Sequence, residues 1–86
     1  MESTPTEVRE QLDRILLSQD FEASQGLADF LSFVVEETLA GRAGEINQRT
    51  VGVKGLGSPA NFDPQSNPAV RMQASRLRRA LDNYFL

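Results

Sequence analysis

The chain contains no cysteine, no histidine and no tryptophan. Without cysteine there is no disulfide framework and no thiolate metal site. Without histidine it lacks the commonest general base and the commonest zinc ligand. The remaining carboxylates, hydroxyls and cations form no catalytic set. Glu36 and Glu37 are neighbours, so on a helix they point in different directions and make no acid–base pair. Gly52-Val53-Lys54-Gly55-Leu56-Gly57 is glycine-rich but lacks the phosphate-loop spacing and its Gly-Lys-Ser/Thr end. Neither an enzyme, a metal site nor a cofactor is expected. Long apolar runs are missing too. The stretch Phe30 to Val35, interrupted by Ser32, falls far short of the roughly 20 residues that span a bilayer. Met1 to Glu10 is polar and acidic, unlike a secretory leader. The expectation is a soluble cytoplasmic protein without a membrane partner.

What is present fits one small domain. The 86 residues are 40% hydrophobic and 24% charged, ordinary values for a globular chain. A domain of this size buries only roughly 60–65% of its unfolded surface. The net charge of −3 argues against a polyanionic ligand, but its distribution does not. Residues 1–37 hold nine acids against Arg9 and Arg14, a balance of −7. Residues 38–86 hold Glu45, Asp63 and Asp82 against six arginines and Lys54, a balance of +4. The first half is acidic and the second basic.

Periodicity predicts four helices, at about 4–18, 25–40, 47–56 and 68–85. Thr4 as cap, Pro5 in the first turn and Glu7 three residues after the cap mark the first start. Val8, Leu12, Ile15 and Leu16 follow at helical spacing. Ser18 to Ser24 reads as a break in which Phe21 anchors into the core. The second helix carries Leu27, Phe30, Leu31, Phe33, Val34, Val35 and Leu39 around most of its circumference, the mark of a central helix. Gly41 suits its C-terminal cap. Residues 46–56 are ambiguous between a helix weakened by Gly52 and Gly55 and a strand across Thr50 to Lys54. The helix is preferred, with the glycines three apart admitting the close approach of another backbone. Ser58 to Pro68 is turn chemistry, pinned by Phe62. Asn67 as cap and Pro68 at the first helical position open the last helix. Its buried stripe is Val70, Ala74, Leu77, Leu81 and Tyr84. The fold class expected is all-α, a compact four-helix domain of helix-turn-helix type, with room for a small β-wing.

The last helix carries the functional signal. Arg71, Arg76, Arg78 and Arg79 crowd into nine residues, answered locally by Asp82. DNA supplies the phosphates that such a face attracts, and arginine reads guanine in the major groove. Arg71, Ser75, Arg76 and Arg79 are the expected groove-facing residues, with Arg78, Arg49 and Lys54 on phosphates. A plainer account stands beside this one. The face is then merely solvated, and Arg78 and Arg79 answer the negative end of the helix dipole. The rival function is a protein-binding adaptor or inhibitor working through the acidic surface of Glu7, Glu10, Asp13, Glu36 and Glu37.

Val34-Val35-Glu36-Glu37-Thr38-Leu39-Ala40-Gly41-Arg42, Thr50-Val51-Gly52-Val53, Phe62-Asp63-Pro64, Val70-Arg71, Arg76-Leu77-Arg78-Arg79-Ala80-Leu81 and Tyr84-Phe85 together carry a resemblance. This pattern, over residues 25–86, resembles the small helix-turn-helix or winged-helix-like domain at the N-terminus of bacterial cyclase-like and tetratricopeptide-repeat regulators. The resemblance implies a bacterial source and a regulatory, DNA-binding role. The family pattern has an acid before the proline at 68 and another near 73, where this chain has Asn67 and Gln73; both changes make the helix less acidic and suit DNA contact. With no further domain after Leu86, the chain is expected to act alone, with a partner subunit, or as a homodimer. Val8, Ile15, Leu17, Tyr84, Phe85 and Leu86 would supply a dimer's apolar contacts, unless Tyr84 and Phe85 simply close the core.

Overall fold

The Thr4 hydroxyl accepts the backbone N–H of Glu7 at 3.1 Å and so starts α1 (Pro5–Leu16). The computed structural model describes residues 4–86; Met1, Glu2 and Ser3, the beginning of the polar N-terminal stretch, lie outside the described residues. α1 ends where Ser18 turns back and its hydroxyl donates to the Ile15 carbonyl. The expected break beyond it is itself a turn of helix, α2 (Gln19–Glu22). Short polar residues hid this turn, which carries Phe21, only 2% exposed, into the core. Ser24 then caps α3 (Gln25–Leu39), accepting from Leu27 N–H.

α3 closes as its sequence implied. Gly41 takes φ +82°, its N–H reaches the Thr38 carbonyl, and Arg42 N–H reaches that of Glu37. This pair of bonds satisfies carbonyls the helix end would otherwise leave open. A Cβ at Gly41 would meet nothing within 4 Å, and the same holds at Gly44, whose φ is not positive. Gly41→Ala should therefore destabilise the domain by about 1 kcal/mol through backbone strain alone. Gly44→Ala should be neutral or slightly stabilising. Urea midpoints of the two variants make the comparison, and equal midpoints would refute the strain argument.

A 3₁₀ turn (Ala43–Glu45) leads to α4 (Gln48–Thr50), which runs straight into a π-turn (Val51–Gly55). Asn47 and Thr50 cap each other, side chain to backbone in both directions, at 3.0 and 2.9 Å. The strand alternative and the β-wing are not found, because no strand occurs among the described residues. Gly52 and Gly55 do admit close neighbours, but these are aromatic rings, not the backbone expected from their spacing. A Cβ at Gly52 would lie 2.7 Å from the Phe62 ring, and one at Gly55 3.1 Å from that of Phe33. The wide turn makes room for both rings.

Phe62 fixes the connector from Leu56 to Pro68 in the core, 5% exposed. α5 (Ala69–Phe85) starts one residue later than expected. Pro68 takes the cap position and the Asn67 side chain accepts Ala69 N–H at 3.0 Å.

The core has two clusters. One holds Leu12, Ile15, Phe21, Leu27, Leu31 and Ala80; the other holds Phe30, Val51, Phe62 and Val70. Leu77 of α5 packs against both, so α5 is the spine that joins them. Its buried face is wider than the expected stripe, since Ala80 is buried as well. Gln73 also turns inward, onto α3, where the missing Cβ of Gly26 gives it space. Its identity therefore does not alter the outer face, contrary to the expectation that it eases DNA contact. Ile15 is likewise in the core and closed to a dimer partner, whereas Leu17 and Phe85 are 70% and 66% exposed. Tyr84 is half-buried and meets the Phe85 ring edge-on at 4.9 Å.

Candidate nucleic-acid interface

With α5 held by Val70, Leu77 and Ala80, its opposite face is fixed. Arg71, Met72, Ser75, Arg76, Arg78, Arg79 and Asp82 are all exposed. Rotation by about 100° per residue spreads them around that face. Ser75, Arg79 and Met72 occupy its middle. Arg71 and Arg78 form one edge and Arg76 the other, and Arg78 stands about 160° from Arg76 around the axis.

Each edge borders a groove. On one side Arg71, Ser75 and Arg78 line a groove of about 480 Å³ together with Asn47 and Gln48 from the start of α4, over a floor that includes Phe30, Val51 and Val70. On the other, Arg76 and Arg79 line a notch of about 200 Å³ with Asp20, Ser24 and Asn83. Asn47, Gln48, Asp20, Ser24 and Asn83 carry no functional signal in the sequence. They are uncharged or acidic residues far from α5 along the chain or inconspicuous within it, and only packing brings them there.

Arg71 and Arg49 hold the connector from two sides. Arg71 donates to the Pro64 carbonyl at 2.7 Å and Arg49 to that of Ala60 at 3.2 Å. Arg71 is thereby oriented while most of its five N–H donors stay free of this bond. Arg49 and Lys54 are exposed but line neither groove beside α5. Lys54 lies near enough to Glu37 to help hold its carboxyl below the usual carboxylate range.

The ion pairs among the described residues lie elsewhere. Arg9 of α1 reaches Glu36 of α3 with both guanidinium arms, at 3.0 and 3.2 Å. Arg42 holds Glu37 in the same two-armed way, at 2.8 and 2.9 Å. Hydrogen bonding to these guanidinium groups keeps the Glu36 and Glu37 carboxyls low and raises the arginines. The two adjacent glutamates thus face different partners and work as separate clamps. Both pairs sit at the surface, where such contacts contribute little. Among the described residues no arginine of α5 is in an ion pair.

No protein-family model, curated protein or solved structure matches this chain.

A third groove, of about 460 Å³, runs between α1 and α3 over Val8, Leu12, Ile15, Leu31 and Val35, with Glu7, Glu10 and Arg14 at its rim. It is an apolar recess on the molecule's acidic half. Among the described residues no helix is long and apolar enough to cross a membrane.

Proposed function

We propose that the protein is a DNA-binding transcriptional regulator that lays α5 in the major groove of duplex DNA. One observation carries this reading: four exposed guanidinium groups spread across the solvent side of one helix, from edge to edge, with no carboxylate paired to them among the described residues. Like charges gathered this closely gain most from an ordered row of anions, and a duplex offers one charge per roughly 1.7 Å of axis. A helix of roughly 10–12 Å diameter fits a major groove about 12 Å wide. α4 and its π-turn precede α5 in the order of a helix-turn-helix, although the connector from Leu56 to Pro68 is longer than the usual turn. The wider reading is a bacterial, cytoplasmic regulator that binds as a homodimer.

Selection of bound sequences from a randomised duplex library tests this reading. A single recovered motif is expected, and a palindrome with half-sites about one helical turn apart would show the dimer. With about three phosphates held, the slope of log affinity against log salt should be near −3, a loss of roughly 40-fold or more between 50 and 200 mM salt. Absence of any duplex binding at about 50 mM salt would refute the proposal. A protein-binding adaptor is the second reading. The α1–α3 groove with its acidic rim favours it, and a purified protein that ignores duplex DNA at about 50 mM salt but retains a protein partner is its signature.

A further inference from the structure

Met72 is the one exposed large apolar residue on the arginine face of α5, among the described residues. It is 53% exposed and stands in the middle of the outer face, with Ser75 and Arg76 as its neighbours one turn on and Arg79 in line two turns on. The other large apolar residues with comparable exposure are Leu17, Phe85 and Leu86; Phe85 follows the Arg78 edge at the very end of α5, beyond Asp82, and none of the three stands in the middle of the outer face. Nothing in the core depends on Met72. A flexible thioether set among guanidinium groups gains little from water and gains from an apolar surface.

The arrangement around it divides the face by height. Arg71 and Arg78 on one edge and Arg76 on the other are placed to meet the two phosphate walls of a groove. Met72, Ser75 and Arg79 are left for its floor. Seven residues separate Met72 from Arg79, about 10 Å along the helix, or roughly three steps at about 3.4 Å each. Arginine pairs with guanine through two hydrogen bonds, while the apolar feature of the major-groove floor is the C5-methyl group of thymine. Asp82, further along the same face, repels phosphates, so the part of α5 before it, up to Arg79, approaches most closely.

We infer that Met72 is a specificity-determining residue that packs on a thymine methyl group, about three base steps from a guanine bound by Arg79. The inference deepens the DNA-binding reading and rests on it. It makes Met72 a reader of sequence and the edge arginines suppliers of affinity.

The test uses duplexes recovered by the selection, with each thymidine replaced in turn by deoxyuridine, which lacks only the methyl group. At one position per site the wild-type protein should lose roughly three- to tenfold in affinity, the worth of one buried methyl group and its contacts. Met72→Ala should bind thymine and uracil equally at that position. Met72→Leu should retain part of the preference, and Ser75→Ala should keep the full uracil penalty. Because Met72 is exposed, circular dichroism and thermal midpoints of the variants should match the wild type. Strong duplex binding with no uracil-sensitive position, or with the same penalty in wild type and Met72→Ala, overturns the inference and leaves DNA binding standing. Failure to bind any duplex overturns both.

Discussion

Gly52→Ala should destabilise the protein by about 1–2 kcal/mol, and the same substitution should become neutral or stabilising once the Phe62 ring is removed. The reason is a close approach. A Cβ at position 52 would sit 2.7 Å from one Phe62 ring carbon, 2.8 Å from a second and 3.1 Å from a third. The ring cannot swing clear, because Phe62 is wedged with Phe30, Val51 and Val70. Forcing an extra methyl group into such a site costs about 1–3 kcal/mol. Alanine's better helical propensity returns at most about 1 kcal/mol. Phe62→Ala alone should cost about 3–5 kcal/mol, a large share of the roughly 4–13 kcal/mol typical for a domain of this length. In that background the methyl group added at position 52 enters vacated space, so strain vanishes and propensity remains. Urea denaturation of the four proteins in the cycle should give a coupling of about 2 kcal/mol. If Phe62→Ala leaves too little folded protein, Phe62→Leu serves as the second background. Equal penalties for Gly52→Ala with and without the ring would show that the glycine is required for some other reason. The pair matters for function because Phe62 secures the connector whose Pro64 carbonyl orients Arg71.

The second large effect concerns binding. Arg76→Ala with Arg79→Ala should lower duplex affinity by roughly 10–10³-fold at moderate salt, since the pairing of Arg79 with a base is worth about 1–3 kcal/mol and Arg76 adds one phosphate contact. Both side chains are exposed and touch no core cluster, so the unfolding midpoint should move by no more than about 0.5 kcal/mol in stability. The two arginines should also separate by chemistry. Lysine supplies a point charge but not the planar two-pronged geometry of guanidinium. Arg76→Lys at the edge should retain most affinity. Arg79→Lys on the floor should lose sequence preference, measured as the ratio of selected to random duplex. Full affinity in the folded double alanine variant would remove α5 from the interface.

These expectations rest on features of differing visibility in the sequence. The helices are legible where a periodic apolar pattern meets a cap. Thr4 and Gly41 mark ends that the chain does adopt, and the stripe from Val70 to Tyr84 separates the inner and outer faces of α5. α2 is not legible, because four residues are too few to show a period and its polar residues read equally well as a loop. The glycines at 52 and 55 announce a close approach without saying of what. Local propensity cannot distinguish a backbone from a phenyl ring arriving from a distant segment. Gln73 points inward against expectation, because wheel geometry on one helix does not say how many neighbours surround it, whereas Ile15 lies in the core as its place on the apolar stripe implied.

The sequence by itself determined the three long helices, the two charged halves and a helix with arginines on the side away from its apolar stripe. Those follow from side-chain order and the helical repeat, which act over a few residues. Only the tertiary structure decided that α5 packs along both core clusters, that Asn47 and Gln48 border one arginine edge while Asp20 borders the other, and that Glu36 and Glu37 pair with Arg9 and Arg42 and not with α5. Such pairings depend on which surfaces exclude water together, and that is settled between segments distant in the chain.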